Sequence, residues 1–194
     1  IAVENLRQTT IAIVEKTDSG SYIATCSGVW IGTNVILTAA HCVDDKLLVQ
    51  YSTMEDYNNE KANIAVTAAS DPSSDLALLV TKSTQDHPIA TISNQLIASG
   101  NDVHIVGHPV GYAWSYVHGS VSSIRNIEGP TGKVKKTIQI SAPVWLGNSG
   151  GGAFDANGKL IGICSWVAKN GPQLSFFIHK EVIEEFILKE TTRL

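Results

Sequence analysis

Short runs of β-branched and other apolar residues, each closed by turn-forming residues, constrain this chain more than any other feature. They cover Thr10 to Val14, Ile23 to Ile31, Val35 to Thr38, Leu47 to Tyr51, Ala62 to Ala68, Leu76 to Val80 and Val103 to Val106. The second half repeats the habit at Trp114 to Ile124, Thr137 to Ile140, Leu160 to Val167 and Leu174 to Ile178. Runs of this length and composition read as strands. The punctuation between them is specific: Asp18-Ser-Gly20, Gly32-Thr-Asn34, Gly129-Pro-Thr-Gly132, and Asn157-Gly158, a strong hairpin signal ahead of Lys159-Leu160-Ile161. An all-β chain of antiparallel hairpins is predicted.

Helical spacing is clear only near the C-terminus. There Val182, Ile183, Phe186 and Ile187 share one face, and Glu181, Glu184, Glu185 and Lys189 the other, which predicts a core-docked helix over about 180–190. The stretch from Ser83 to Gly100 is less periodic and richer in polar and small residues. It reads as a connector that divides a single domain, 1–194, into a first lobe at about 1–90 and a second at about 91–180.

Composition removes several classes of function. With 194 residues, 43% of them hydrophobic, the chain can bury a sizeable core. The net charge is −4 and basic residues are nowhere concentrated, so nucleic acid is not an expected partner. No apolar run approaches the roughly 20 residues of a membrane span, and none is expected. The chain begins at Ile1 and not at Met, as a processed product or a fragment does. Cys26, Cys42 and Cys164 have no paired C-x-x-C spacing for zinc and allow at most one disulfide. His87, His104, His108, His118 and His179 lack spaced partners, so neither a metal nor another cofactor is expected.

Three motifs carry the chemistry: Leu37-Thr-Ala-Ala-His41-Cys42, Asp75-Leu-Ala-Leu-Leu79 and Leu146-Gly-Asn-Ser149-Gly-Gly-Gly152. A serine hydroxyl is a poor nucleophile until an imidazole takes its proton. The imidazole does this well when a buried carboxylate fixes its tautomer and stabilises the imidazolium. Ser149, His41 and Asp75 are the candidate catalytic residues. The glycines around Ser149 let backbone N–H groups converge on an oxyanion without side chains in the way, and the amides of Gly147 and Ser149 are the expected donors. Asp44, Asp45 and Asp71 compete with Asp75 less well, because only Asp75 leads directly into an apolar strand.

On these residues the sequence resembles the trypsin-like, chymotrypsin-fold serine peptidases over nearly its whole length. Ala2-Val3-Glu4-Asn5-Leu6, Asp75-Leu-Ala-Leu-Leu79, Gly107-His-Pro-Val-Gly111, Gly119-Ser-Val-Ser122 and Ile138-Gln-Ile140 are similar to the bacterial HtrA-like branch and to secreted glutamyl endopeptidases. The resemblance implies two six-stranded antiparallel β-barrels with the active site between them, His41 and Asp75 from the first lobe and Ser149 from the second. It also implies a Cys26–Cys42 disulfide beside the histidine, the alternative being two buried thiols. Cys164, inside an apolar strand, reads as a small buried hydrophobe. Such a bridge favours a secreted or otherwise extracytoplasmic location. Asn148 stands where trypsins carry the aspartate that receives a new N-terminal amine, so activation by insertion of Ile1 is not expected. HtrA proteases continue into a peptide-binding PDZ module, whereas this chain stops at Leu194, and no such module is expected within it.

By the same resemblance, Pro143 occupies the floor of the pocket for the residue before the scissile bond, where trypsins carry a carboxylate. A basic substrate side chain would there be buried unpaired, at high cost. Ser165, Trp166 and Val167 correspond to the strand that pairs with substrate, and Ser175 belongs to the far wall of the pocket. Val167 at the mouth favours small or medium apolar side chains. Glutamyl endopeptidases usually place a histidine at the Cys164 position, leaving only His118 or His179 to approach the pocket for that specificity. The expected function is a serine endopeptidase acting on peptides or proteins through an acyl-enzyme. The alternative is a protease-fold binding or structural protein with latent or self-limited cleavage. An esterase elbow is excluded, because Gly147-Asn-Ser-Gly-Gly lies among strands and does not match G-x-S-x-G.

Overall fold

A computed structural model of the chain describes residues 2–43, 48–82, 86–108, 111–128, 132–144, 148–167 and 174–192. The expected β-structure folds into two closed six-stranded antiparallel barrels. The first takes the order β1-β2-β3-β6-β5-β4, from β1 (Thr10–Lys16), β2 (Tyr22–Trp30), β3 (Val35–Thr38), β4 (Leu48–Tyr51), β5 (Asn63–Asp71) and β6 (Leu76–Thr81). The second repeats it as β10-β11-β12-β9-β8-β7, from β7 (Asp102–Gly107), β8 (Ser115–Glu128), β9 (Val134–Ser141), β10 (Gly152–Phe154), β11 (Leu160–Val167) and β12 (Leu174–His179). Closure leaves neither barrel with an open edge to aggregate.

Each barrel has its own filling, and a third cluster joins the two. Ile11, Ile13, Trp30, Ile36 and Leu79 pack inside the first barrel; Val103, Ile105, Ile138, Ile140, Ile161 and Phe177 pack inside the second. Leu6, Leu37, Val106, Trp114, Leu160 and Phe186 belong to a cluster that draws on both barrels and on the flanking helices. Burying side chains of this size contributes about 1.5–3 kcal/mol each. The junction that holds the barrels in mutual position is therefore apolar and strong. His108 adds a polar tie there: fully buried, it donates from Nε2 to the Ile11 carbonyl (3.0 Å) and accepts at Nδ1 from the Trp114 amide (2.8 Å).

The C-terminal helix α3 (Lys180–Thr191) follows β12 directly. His179 caps it by accepting the Glu181 amide at Nδ1, and Ile183 and Phe186 are its buried residues, as the stripe predicted. Several short elements among the described residues escape the sequence reading. Helices α1 (Val3–Gln8) and α2 (Met54–Asn58) are too short to show a helical period, and β10 has only three residues among glycines. The strand expected at Trp114 to Ile124 also shifts: Trp114 takes a left-handed backbone (φ 52°) before β8, which runs on to Glu128.

Candidate active site

His41 sits in a single 3-10 turn, Ala40–Cys42, at the end of β3. Asp75 ends the tight β5–β6 connection, one residue before the buried strand β6. Its backbone is left-handed, φ 58°, an uncommon conformation for a residue with a side chain. Neighbouring groups hold it there. The Ala40 amide donates to the Asp75 carbonyl at 3.0 Å, and the His41 amide to Asp75 Oδ1 at 2.9 Å. Earlier in the turn Asp71 accepts from the Ser73 amide (3.0 Å) and the Ser74 hydroxyl (3.1 Å), closing the loop that presents Asp75.

The carboxylate and the imidazole meet directly. His41 Nδ1 lies 2.8 Å from Asp75 Oδ2 and 3.0 Å from Oδ1, so Nδ1 carries the proton and Nε2 is the basic nitrogen. The imidazole is 47% exposed and the Asp75 side chain 14%, so the base faces the cleft while the carboxylate is shielded. Burial alone would raise the Asp75 pKa. Hydrogen bonds from His41 and Ser165, the charge of His41 and the His41 amide outweigh it and hold the carboxyl below its ordinary value.

Ser165 enters from the other barrel. Its hydroxyl donates to Asp75 Oδ2 at 2.6 Å. The pairing of β11 with β12 skips a residue between Cys164 and Trp166, and this bulge leaves Ser165 unpaired. The sequence reading gave Ser165 to substrate through its backbone and missed the role of the hydroxyl. A hydroxyl inside the apolar run Ile161 to Val167 was the available signal.

Ser149 stands in the turn between β9 and β10, half-buried, and the turn is docked on the first barrel. Its carbonyl accepts the Ser27 amide at 2.8 Å and lies 3.5 Å from the Cys42 sulfur. Cys42 and Cys26 form a disulfide, with Cα atoms 6.1 Å apart. The bridge ties the residue after His41 to β2, the strand that holds the Ser149 turn. Gly150 is left-handed (φ 84°), and a Cβ there would overlap Thr38 Oγ1 and the Ser27 carbonyl. Asn148 is buried, and its side-chain amide fills the space that a Cβ on Gly107 would need.

Among the described residues, no hydrogen bond joins the Ser149 hydroxyl to His41. Such contacts commonly tighten only with substrate present. Gly147 lies outside the described residues, as does the side chain of Val167. Pro143 is exposed just before the Ser149 turn. Trp166 stacks on Phe176 with ring centroids 4.4 Å apart, beside the bulge. Ser175, opposite Val167 in the ladder, is fully buried and donates its hydroxyl to the Ile140 carbonyl at 3.1 Å. His179 is committed to the α3 cap, and His118 stacks on His104 and meets Asp102 at 3.2 Å. Cys164 is a free, fully buried thiol, its pKa driven up by burial and by Asp75.

Comparison with known proteins gives the family and the fold. The family model described as the trypsin-like peptidase domain matches residues 26–163. An HtrA-like serine protease of Staphylococcus epidermidis is 32% identical over 181 residues, covering 85% of this chain and 30% of the relative. A DegP-like periplasmic serine endoprotease of Buchnera aphidicola is 29% identical over 152 residues, covering 76% of this chain and 31% of the relative. The chain therefore spans less than a third of either relative's length. The crystal structure of the inactive form of Rv3671c from M. tuberculosis H37Rv superimposes with a TM-score of 0.82 at 20% identity, covering 98% of this chain and 90% of that one.

Proposed function

The chain belongs to the trypsin-like peptidase family, in its HtrA-type branch, and from that premise we propose a serine endopeptidase in which Ser149, His41 and Asp75 do the chemistry. The observation that carries this reading is the paired His41 and Asp75, with Nδ1 bound to the carboxylate and Nε2 left basic. Ser149 Oγ attacks the scissile carbonyl carbon while His41 Nε2 takes its proton. The imidazolium, stabilised by Asp75, returns that proton to the departing amine as the C–N bond breaks. Water, deprotonated by the same nitrogen, then cleaves the Ser149 ester and restores the hydroxyl. The amides of Gly147 and Ser149 are assigned to the oxyanion, a contribution of about 2.7–4 kcal/mol per donor in comparable sites.

The substrate is read as an extended peptide added beside β11 along Ser165 to Val167. Pro143 offers no counter-charge to a basic side chain, and with Val167 it supports a preference for small or medium apolar residues before the scissile bond. The Cys26–Cys42 bridge, together with the periplasmic relative, supports an extracytoplasmic location.

Labelling with a fluorophosphonate probe, read by mass spectrometry on the intact chain, tests the reading. Modification at Ser149 that disappears in Ser149→Ala and requires His41 supports it. Absence of labelling in folded, oxidised protein favours a binding or latent protein instead.

A further inference from the structure

Between the turn at Asp71, Ser73 and Ser74, the start of β9 and the flank of α3 lies a groove of about 360 Å³, within the size range of pockets that hold ligands. Most of its charges are engaged. Lys136 pairs with Glu181 at 2.9 Å, and Lys189 acts on Asp71, which also accepts from the Ser73 amide and the Ser74 hydroxyl. Lys133 and Glu185 stand exposed on the rim. Lys135 differs: the residue is only 8% exposed, yet among the described residues its ammonium makes no hydrogen bond and no ion pair. Nor is that ammonium sealed in. The buried side-chain nitrogens and oxygens left without a partner among the described residues are Trp30 Nε1 and Asp56 Oδ2, so the Lys135 nitrogen reaches accessible surface, and Lys135 lines this groove.

We infer that the groove is a binding site for a carboxylate carried on an apolar peptide segment, with the Lys135 ammonium as the group that receives it. Neither His41 nor Ser149 lines the groove, so the inference goes beyond the peptidase reading and does not depend on it. An ammonium held on a packed stem and left unpartnered has lost solvation that an anion in the groove would return. The packed stem also has little rotamer freedom left to lose, which is the cost that makes ion pairs of surface lysines weak.

The rest of the lining selects among anions. Four lysines against three carboxylates leave one net positive charge, which suits a single carboxylate and disfavours a dianion or the dense charge of a nucleic acid. Val134, Val182 and Phe186 complete the walls, and Val134 is 65% exposed, so an apolar neighbour of the bound carboxylate has a surface to cover. An acidic peptide residue flanked by apolar ones carries both features.

Nitrogen–proton NMR of the full chain carrying Ser149→Ala, which keeps an added peptide from being cleaved, tests the site with a blocked pentapeptide that holds one glutamate between leucines. Saturable shifts are expected at the amides of Ser73, Ser74, Val134 and Val182, and the counterpart peptide with glutamine should produce none at the same concentration. Lys135→Met keeps the apolar stem and removes the ammonium; it should raise the half-saturating concentration about 10-fold or more, the worth of a charge-assisted hydrogen bond. Lys135→Arg should retain most of the affinity. Glu185→Gln, at an exposed position, removes a competing carboxylate and should tighten binding by about 2- to 5-fold. Absence of binding, equal binding of the two peptides, an unchanged half-saturation in Lys135→Met, or shifts confined to the cleft at Ser165 and Trp166 overturns the inference. Inorganic phosphate that displaces the peptide at equal concentration makes the groove a small-anion site and overturns the peptide assignment. Where Lys135→Met does not fold, Glu185→Gln decides: tighter binding supports the inference, and unchanged or weaker binding overturns it. None of these readouts uses cleavage, so failure of Ser149 labelling sinks the peptidase reading and leaves this result standing.

Discussion

The hydroxyl of Ser165 donates a 2.6 Å hydrogen bond to Asp75 Oδ2, and in doing so it is a strut from the second barrel to the carboxylate of the first. Three donors converge on that carboxylate: the His41 imidazole, the His41 amide and this hydroxyl. A hydrogen bond to a charged acceptor is worth about 1.5–3 kcal/mol. Ser165→Ala is expected to slow Ser149 labelling and peptide hydrolysis by roughly 10- to 100-fold, with little change in thermal stability. Equal loss of activity and of fold in this variant would show that the hydroxyl is structural.

The sequence carries the His41–Asp75 pairing more openly than this strut. Alternating and apolar strand segments mark the barrel walls, and a His, an Asp and a Ser beside such segments mark the proposed triad, since each type has a chemical reason to be there. Ser165 is hidden because its direction depends on a register shift in β11, and side-chain alternation does not encode a bulge. Short elements such as α1 and β10 owe their form to tertiary contacts, so no local pattern announces them.

Reduction of Cys26–Cys42 is expected to cost more than stability. The sequence separation is 16 residues, and closing a loop of that size stabilises by roughly 3 kcal/mol in the chain-entropy model. Because the Cys42 sulfur lies against the Ser149 carbonyl, the paired variant Cys26→Ser with Cys42→Ser should also label more slowly at temperatures where it is fully folded. Urea unfolding and labelling rates, measured on the same samples, separate the two effects. Labelling that matches the oxidised protein would confine the bridge to a stabilising role.

Gly150→Ala is expected to be poorly tolerated. The left-handed backbone opposes any Cβ there, and the added atom meets the Ser27 carbonyl and Thr38 Oγ1. Conformation alone costs upwards of about 1 kcal/mol at such a position, and relief of the overlap must move the Ser149 turn away from β2. The expected outcome is a lowered unfolding midpoint together with loss of labelling. By contrast Gly100→Ala, at a left-handed glycine with no atom nearby, carries only the conformational cost and should leave labelling intact.

Acidification should loosen the junction between the barrels before the Asp75 carboxylate is protonated. His108 is buried and neutral, and burial lowers its pKa to about 4 despite the Ile11 carbonyl. The unfolded chain takes up that proton near the ordinary histidine value of about 6.5, so between these limits the unfolded state binds more protons and stability falls with falling pH. The difference corresponds to about 3 kcal/mol, fully present above pH 6.5 and lost by about pH 4. A proton on Nδ1 would also set two donors, His108 and the Trp114 amide, against each other. His179, likewise an acceptor in its neutral form and lowered to about 4 chiefly by burial, acts in the same direction at the α3 cap. Asp75 and Asp71, held below their ordinary values, add their losses only at lower pH. Urea midpoints measured from pH 7.5 to pH 4 should decline in the native chain and decline less steeply in His108→Gln. An identical slope in that variant would remove His108 from the account and leave His179 as the principal acid-sensitive histidine.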